Sequence, residues 1–370
     1  MRLYDVPEEL KRRIISMHLQ RYGELEGEPE MGAFGEIYKL KATLPLVAKC
    51  PQLKKFGTDE GYERAIGKLL VEFEKVGLYW RHHGVQRYNG IEIIYGWPFL
   101  LSRLRHETLA DRIADAASWT MTDKLLCLVQ VCRALSYCQR QGLTAHQDLK
   151  PANIFVDDLS RHFRNSGSSA VIVRYKTYVA DFGLADAFRE FGKNSGSRPY
   201  MAPEQYHSGS IDNGSAIDIF ALAVMSFECL SDGTHPIGEK TSEVWPVQLS
   251  GKSSKWKREN VWKDWARRSE KAFPDASIAA KIPAAVLYEI KKALSPNPDD
   301  RPTIEQFEYS LWCALEREAG DLAQSYRTLI DVMDEHYTAS DDSDWPYLTD
   351  CISRLRRLYS IRDQNPQKAQ

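Results

Sequence analysis

Residues 146–153 read His-Gln-Asp-Leu-Lys-Pro-Ala-Asn, and residues 181–183 read Asp-Phe-Gly. In chain order they supply a carboxylate that can accept a hydroxyl proton (Asp148) and a lysine that can neutralise a moving phosphoryl group (Lys150). They also supply an amide and a second carboxylate that can hold magnesium (Asn153 and Asp181). Either His-x-Asp or Asp-Phe-Gly alone can arise by chance in a chain this long. Together, in this order and followed by Ala-Pro-Glu at 202–204, they are a far more specific signal. A base, a cation and metal ligands are the parts phosphoryl transfer uses, because its catalysis is mostly positioning and charge stabilisation.

Upstream, Gly32-Ala-Phe-Gly35-Glu-Ile-Tyr is followed by Leu46-Val47-Ala48-Lys49 at the distance a hairpin requires. Glycine lets backbone N–H groups approach phosphates with no Cβ in the way. Gly-x-x-Gly alone is more often only a turn, and an isolated Lys49 would read as an exposed strand lysine. A lysine aimed at phosphate needs a carboxylate partner, since a partly buried lysine costs free energy unless it is matched. Glu72 and Glu74 compete for that place. Glu72 is preferred because it shares a helical face with Leu69 and Val76, whereas Glu74 lies between faces.

These segments resemble the eukaryotic-type Ser/Thr protein kinase family, over about residues 25–315. The resemblance implies an α+β, bilobal fold: a small antiparallel-sheet N-lobe and a larger helical C-lobe around a cleft. It implies ATP and Mg2+ as cofactors and a protein substrate with a Ser or Thr acceptor. It implies Asp148 as catalytic base with Lys150 beside it, Gly32, Gly35, Lys49 and Glu72 in nucleotide binding, and Asn153 and Asp181 as metal ligands. Gly196-Ser-Arg-Pro-Tyr-Met-Ala-Pro-Glu204 resembles the segment that ends the family's activation region. Ser197 there, together with Lys150, favours Ser/Thr acceptors over Tyr. Glu204 is expected to pair with Arg301, Asp218 to hydrogen-bond the catalytic-loop backbone, and His146 and Phe182 to serve as packing residues.

The chain departs from the family in two places. Glu30 stands where the first glycine of the phosphate loop would be, and an acidic side chain near phosphates is unhelpful. Gln147 stands where the family often has Arg. A glutamine has no charge for a phosphate to neutralise, which implies that phosphorylation of the activation segment is not required. Two alternatives stay open: a pseudokinase scaffold, which Glu30 and Gln147 favour, and a small-molecule kinase, a class that generally lacks Ala-Pro-Glu.

The 370 residues are 43% hydrophobic and 27% charged, which suits a globular protein of two or three domain-sized units. The formal net charge of −2 gives no global electrostatic case for nucleic acid or membrane. Seven scattered cysteines with no Cys-x-x-Cys pair point to a reducing, cytoplasmic setting. The first residues do not read as a signal peptide, and the apolar run Ala216 to Leu230 is too short to span a bilayer and contains Asp218 and Glu228.

The expected organisation is an N-terminal helical extension (1–21), an N-lobe (22–101), a hinge and C-lobe (102–316) and a C-terminal helical extension (317–370). A helix over 5–20 presents Val6, Leu10, Ile14 and Met17 on one face. Thr122 is expected to cap a helix running to about Arg140, and Thr303 with Gln306 to form a capping box. Residues 154–156 and 171–180 read as a strand pair around a surface insertion. Positions 252–271 carry eight basic and three acidic residues interleaved with Trp256, Trp262 and Trp265. They read as an amphipathic helix packed through its tryptophans, or as a docking surface for an acidic protein or for nucleic acid. Asp331 to Asp344 reads as an acidic linker, followed by an amphipathic helix through Trp345, Leu348, Ile352, Leu355 and Tyr359.

Overall fold

Short apolar runs punctuated by turn residues between 24 and 50 fold as three strands: β1 (Glu24–Gly32), β2 (Gly35–Lys41) and β3 (Leu46–Cys50). Helix α1 (Glu8–Leu19) precedes them, and α2 (Asp59–Tyr79), β4 (Tyr88–Ile94) and β5 (Trp97–Arg103) follow. The five strands form one antiparallel sheet in the order β1-β2-β3-β5-β4. The computed structural model describes residues 3–32, 35–52, 59–105, 107–115, 118–160, 173–187, 196–206, 213–244, 259–267 and 276–336. The insertion at 161–172, Ser195, Trp256 and the expected helix after Trp345 lie outside the described residues.

In β3 the period of two places Ala48 and Cys50, both fully buried, on one face, and Lys49 on the other. Lys49 sits opposite Ile37 of β2 and Leu100 of β5, so its backbone is fixed from both sides. Helix α2 buries Tyr62, Ile66, Leu69, Leu70, Phe73 and Val76, and Glu72 falls within that apolar stripe.

The N-terminal helix forms, but it turns a different face inward. Lys11, Ile15 and Leu19 are buried, while Leu10 is 47% and Met17 74% exposed. Ile14 and Ile15 belong to two overlapping stripes, and docking against β1 and β4 selects the second. Lys11 buries its aliphatic stem and pairs its ammonium with Glu8 at 2.6 Å. Leu3, Ile15 and Leu19 share a core with the sheet and α2, so this extension is integral to the small lobe.

The second core is helical. Helix α3 (Leu109–Ala114) follows the short strand β6 (Glu107–Thr108). Helix α4 (Met121–Arg140) is capped two residues before the expected position: Thr120, not Thr122, closes a capping box with Asp123. Asp at the third helical position completes the reciprocal pair of bonds, a pattern that Thr122 lacks. Strands β7 (Ile154–Asp158) and β8 (Tyr175–Val179) pair antiparallel, with β6 on the edge. Helix α5 (Ser215–Leu230) is buried nearly throughout and forms the centre of the lobe. Around it lie α6 (Glu259–Arg267), α7 (Ala284–Ala293), α8 (Ile304–Ala319), opened by the expected Thr303–Gln306 box, and α9 (Leu322–His336). The expected linker from Asp331 is therefore helical up to His336, because Ala323 and Ile330 anchor α9 in the core. Residues 337–344 lie outside the described residues. No described helix is long and apolar enough to cross a membrane.

The buried stripe of α1 is directly testable. Leu19→Ala should cost about 2–5 kcal/mol in urea unfolding, whereas Met17→Ala should fall within roughly 0.5 kcal/mol of wild type.

Candidate active site

The loop 146–153 lies between α4 and β7, and Asp181 follows β8, so the β7–β8 ladder sets the two stretches side by side. Ala180 N–H donates to Asn153 O at 2.9 Å, which ties them directly. His146 is fully buried, its Nε2–H donates to Ala180 O at 3.0 Å and its ring packs on Phe182 with centroids 4.7 Å apart. Both residues serve as packing, as expected.

Gln147 holds a positive φ of 69° and Asp181 one of 63°, conformations that cost free energy in residues other than glycine. Asp218 of α5 holds the first of these. Its Oδ2 accepts the His146 N–H at 2.6 Å and its Oδ1 the Gln147 N–H at 3.0 Å. Burial pushes the Asp218 carboxyl up to about 6, against the pull of His146 and the two N–H groups. Asp186 holds the residues before this loop in the same way, accepting the N–H groups of Thr144 and Ala145 at 2.9 Å each. Sequence reasoning missed Asp186, whose partners lie some forty residues away and leave no local signal.

Asp148 is buried. Lys150 Nζ donates to Asp148 Oδ2 at 2.8 Å and to Ser197 Oγ at 2.7 Å. Asn153 Nδ2 donates to Asp148 O at 2.8 Å and to Oδ2 at 3.1 Å. Asp148 Oδ1 has no hydrogen-bond partner among the described residues.

On the small-lobe side, Lys49 Nζ lies 2.8 and 2.7 Å from the two oxygens of Glu72 and 3.6 Å from Asp181 Oδ1. Of the two competing glutamates, Glu72 makes the contact. Tyr88 donates to Glu72 as well, a partner the sequence did not reveal. Burial alone would lower the Lys49 ammonium; Glu72 and Asp181 outweigh it and hold the group above the ordinary lysine range. Burial likewise opposes the Asp181 carboxylate, but Lys49, Lys150 and His146 keep it below the ordinary range. Both groups are therefore charged at neutral pH.

Gly32 and Gly35 face each other at the β1–β2 turn. A Cβ on Gly35 would come 2.1 Å from Cys50 O, so close backbone approach alone requires glycine there. Glu30 is ion-paired with Lys39 on the neighbouring strand, which offsets its charge.

A sequence profile of the protein kinase domain matches residues 32–313, well over half of the chain. The chain belongs to the protein kinase family. Among its relatives, serine/threonine-protein kinase Pkn1 of Myxococcus xanthus is 31% identical over 195 residues, 51% of this chain and 23% of that protein. Serine/threonine-protein kinase PknB of Mycobacterium tuberculosis is 27% identical over 201 residues, 52% of this chain and 26% of that protein. Serine/threonine-protein kinase CHK1 of Mycosarcoma maydis is 27% identical over 189 residues, 50% of this chain and 23% of that protein. The chain thus spans about a quarter of the length of these curated relatives. The sheet lobe and the helical lobe are the two lobes of the kinase fold.

The rest of the kinase frame supports this site. Arg301, whose side chain is fully buried, donates to both oxygens of Glu204 at 2.7 and 2.8 Å and to Ala216 O at 2.8 Å. Tyr200 donates to Glu228 Oε2 at 2.7 Å. Of the basic stretch 252–271, only 259–267 is described; Trp265 there packs edge-on against Phe220 and His235.

Arg301→Ala should cost about 3–5 kcal/mol in chemical unfolding, because it leaves Glu204 without its partner. A second outcome concerns pH. Burial pushes Glu228 from 4.5 up to about 7, against the hydrogen bond from Tyr200. Between those values the folded chain keeps a proton that the unfolded chain releases, so this group's contribution falls as pH rises. Glu228→Gln should flatten the decline in unfolding free energy between pH 5 and 7.5; parallel wild-type and variant profiles would contradict it.

Proposed function

We propose that this chain transfers the γ-phosphoryl group of ATP to Ser and Thr hydroxyls of a protein, as an active Ser/Thr kinase. One observation carries this function: Lys150 bridges Asp148 and Ser197. It joins the candidate base to the segment against which an acceptor peptide would lie, with a cation where phosphoryl charge develops. Asp148 is the base. Its Oδ1 is the oxygen with no other partner among the described residues, and it takes the proton as the acceptor oxygen attacks phosphorus. Lys49, aimed by Glu72, grips the nucleotide phosphates, with Gly32 and Gly35 allowing close backbone approach to them.

Asn153 spends its amide N–H groups on Asp148, which leaves its Oδ1 as an acceptor, and Asp181 offers a carboxylate. Two hard oxygen ligands fit Mg2+. When bound, Mg2+ would offset phosphate charge, with Asn153 and Asp181 holding it. A pseudokinase scaffold is less well supported, because every charged residue of the site stands in place and Glu30 is already matched by Lys39. We further propose that Gln147, lacking charge, frees the enzyme from activation-segment phosphorylation. The described cysteines are free thiols, in keeping with a reducing, cytoplasmic setting.

Transfer of label from γ-labelled ATP to a generic protein substrate tests the function. Wild type should label Ser and Thr, and Asp148→Ala should lower the rate on the order of 10²–10⁴-fold. Labelled small alcohols with no labelled polypeptide would overturn it. Phosphatase-treated enzyme should keep its activity.

A further inference from the structure

Helix α9 lies outside the residues matched to the kinase domain. Ala323, Tyr326, Ile330 and Asp334 recur along one stripe of it; the first three pack into the large-lobe core. Asp334 reaches the turn that joins α2 to β4. Its Oδ1 lies 3.1 Å from His82 Nε2 and 2.7 Å from His83 Nε2, and its Oδ2 accepts from Arg133 of α4 at 3.1 Å. Both histidines are buried and their rings stack 4.7 Å apart.

The same turn touches both halves of the active site. It directly continues α2, which carries Glu72. Val179 N–H donates to Gly84 O and Gln86 N–H to Val179 O, each at 2.8 Å, two residues before Asp181. Tyr79 packs on Phe182 with centroids 5.4 Å apart. A displacement of this turn would therefore move the Lys49–Glu72 pair and Asp181 together.

We propose that α9 is a latch: Asp334 clamps the α2–β4 turn to the large lobe and so acts as a positioning residue for Lys49, Glu72 and Asp181. Its effect on turnover rests on the phosphoryl-transfer function; the clamp itself does not. Two histidines and a carboxylate could also hold a metal ion. Gly84 N–H, however, donates to His82 Nδ1 at 3.0 Å, so neutral His82 carries its proton on Nε2 and offers no lone pair there. Hydrogen bonding to both histidines holds the Asp334 carboxyl below its ordinary range despite burial.

The test compares Asp334→Ala with Asp331→Ala in the full chain. Asp331 also pairs with Arg133, at 3.0 Å, and among the described residues it makes no ion pair or hydrogen bond to the turn. Hydrogen exchange over residues 80–86 should quicken about tenfold in Asp334→Ala and stay near wild type in Asp331→Ala. The kcat/KM for ATP should fall roughly five- to tenfold only in the former. Should Asp334→Ala lose its cooperative melt, the isosteric Asp334→Asn carries the same test with the same expected direction. Equal effects of the 331 and 334 variants, or unchanged exchange in both, would overturn the latch. So would protection of 80–86 that EDTA removes and zinc restores. Exchange reads the latch even without turnover, so a wild type that transfers no phosphate would sink the phosphoryl-transfer function alone.

Discussion

The loop 146–153 depends on one buried carboxylate. Asp218 faces a loop whose second residue, Gln147, sits in a left-handed conformation that a glutamine avoids when free. By accepting two consecutive backbone N–H groups, it aligns them and offsets the strain. The next residue is Asp148, whose direction follows from that alignment. Burial makes ionising Asp218 costly, and the two N–H donors offset part of the cost. The largely apolar α5 therefore holds the backbone of this loop through the Asp218 side chain.

The second constraint is charge matching across the cleft. Lys49 comes from a strand, Glu72 from a helix and Asp181 from the end of the other sheet, and each would be unfavourable alone in that setting. Packing of α2 against the sheet, through Phe73, Leu69 and Ile66, sets the distance at which the lysine and glutamate meet. The ion pair thus depends on the hydrophobic stripe around it. The turn after α2 extends this dependence to α9, because it is hydrogen-bonded to β8 and to Asp334 at once.

Much of this was legible in the chain. Helix α8 was visible through its capping box, and β3 through Leu46–Lys49, because both signals are local. Glu72 could be preferred over Glu74 because it shares a helical face with Leu69 and Val76. The first helix shows the limit: Ile14 and Ile15 belong to two competing stripes, and only the sheet chooses between them. The segment from Asp331 shows another limit. Its acidity reads as solvated linker until Arg133, His82 and His83, distant in sequence, supply the partners that make a helix there favourable.

The sequence by itself determined the family, the order of the lobes and the chemical identity of the candidate residues, since these depend on residue type and short spacing. The tertiary structure alone decided that Asp186 holds the backbone before the loop, that Tyr88 joins the Lys49–Glu72 pair and where the last described helix attaches. Those outcomes depend on distances between residues far apart in the chain, which packing of the two cores sets and no local pattern records.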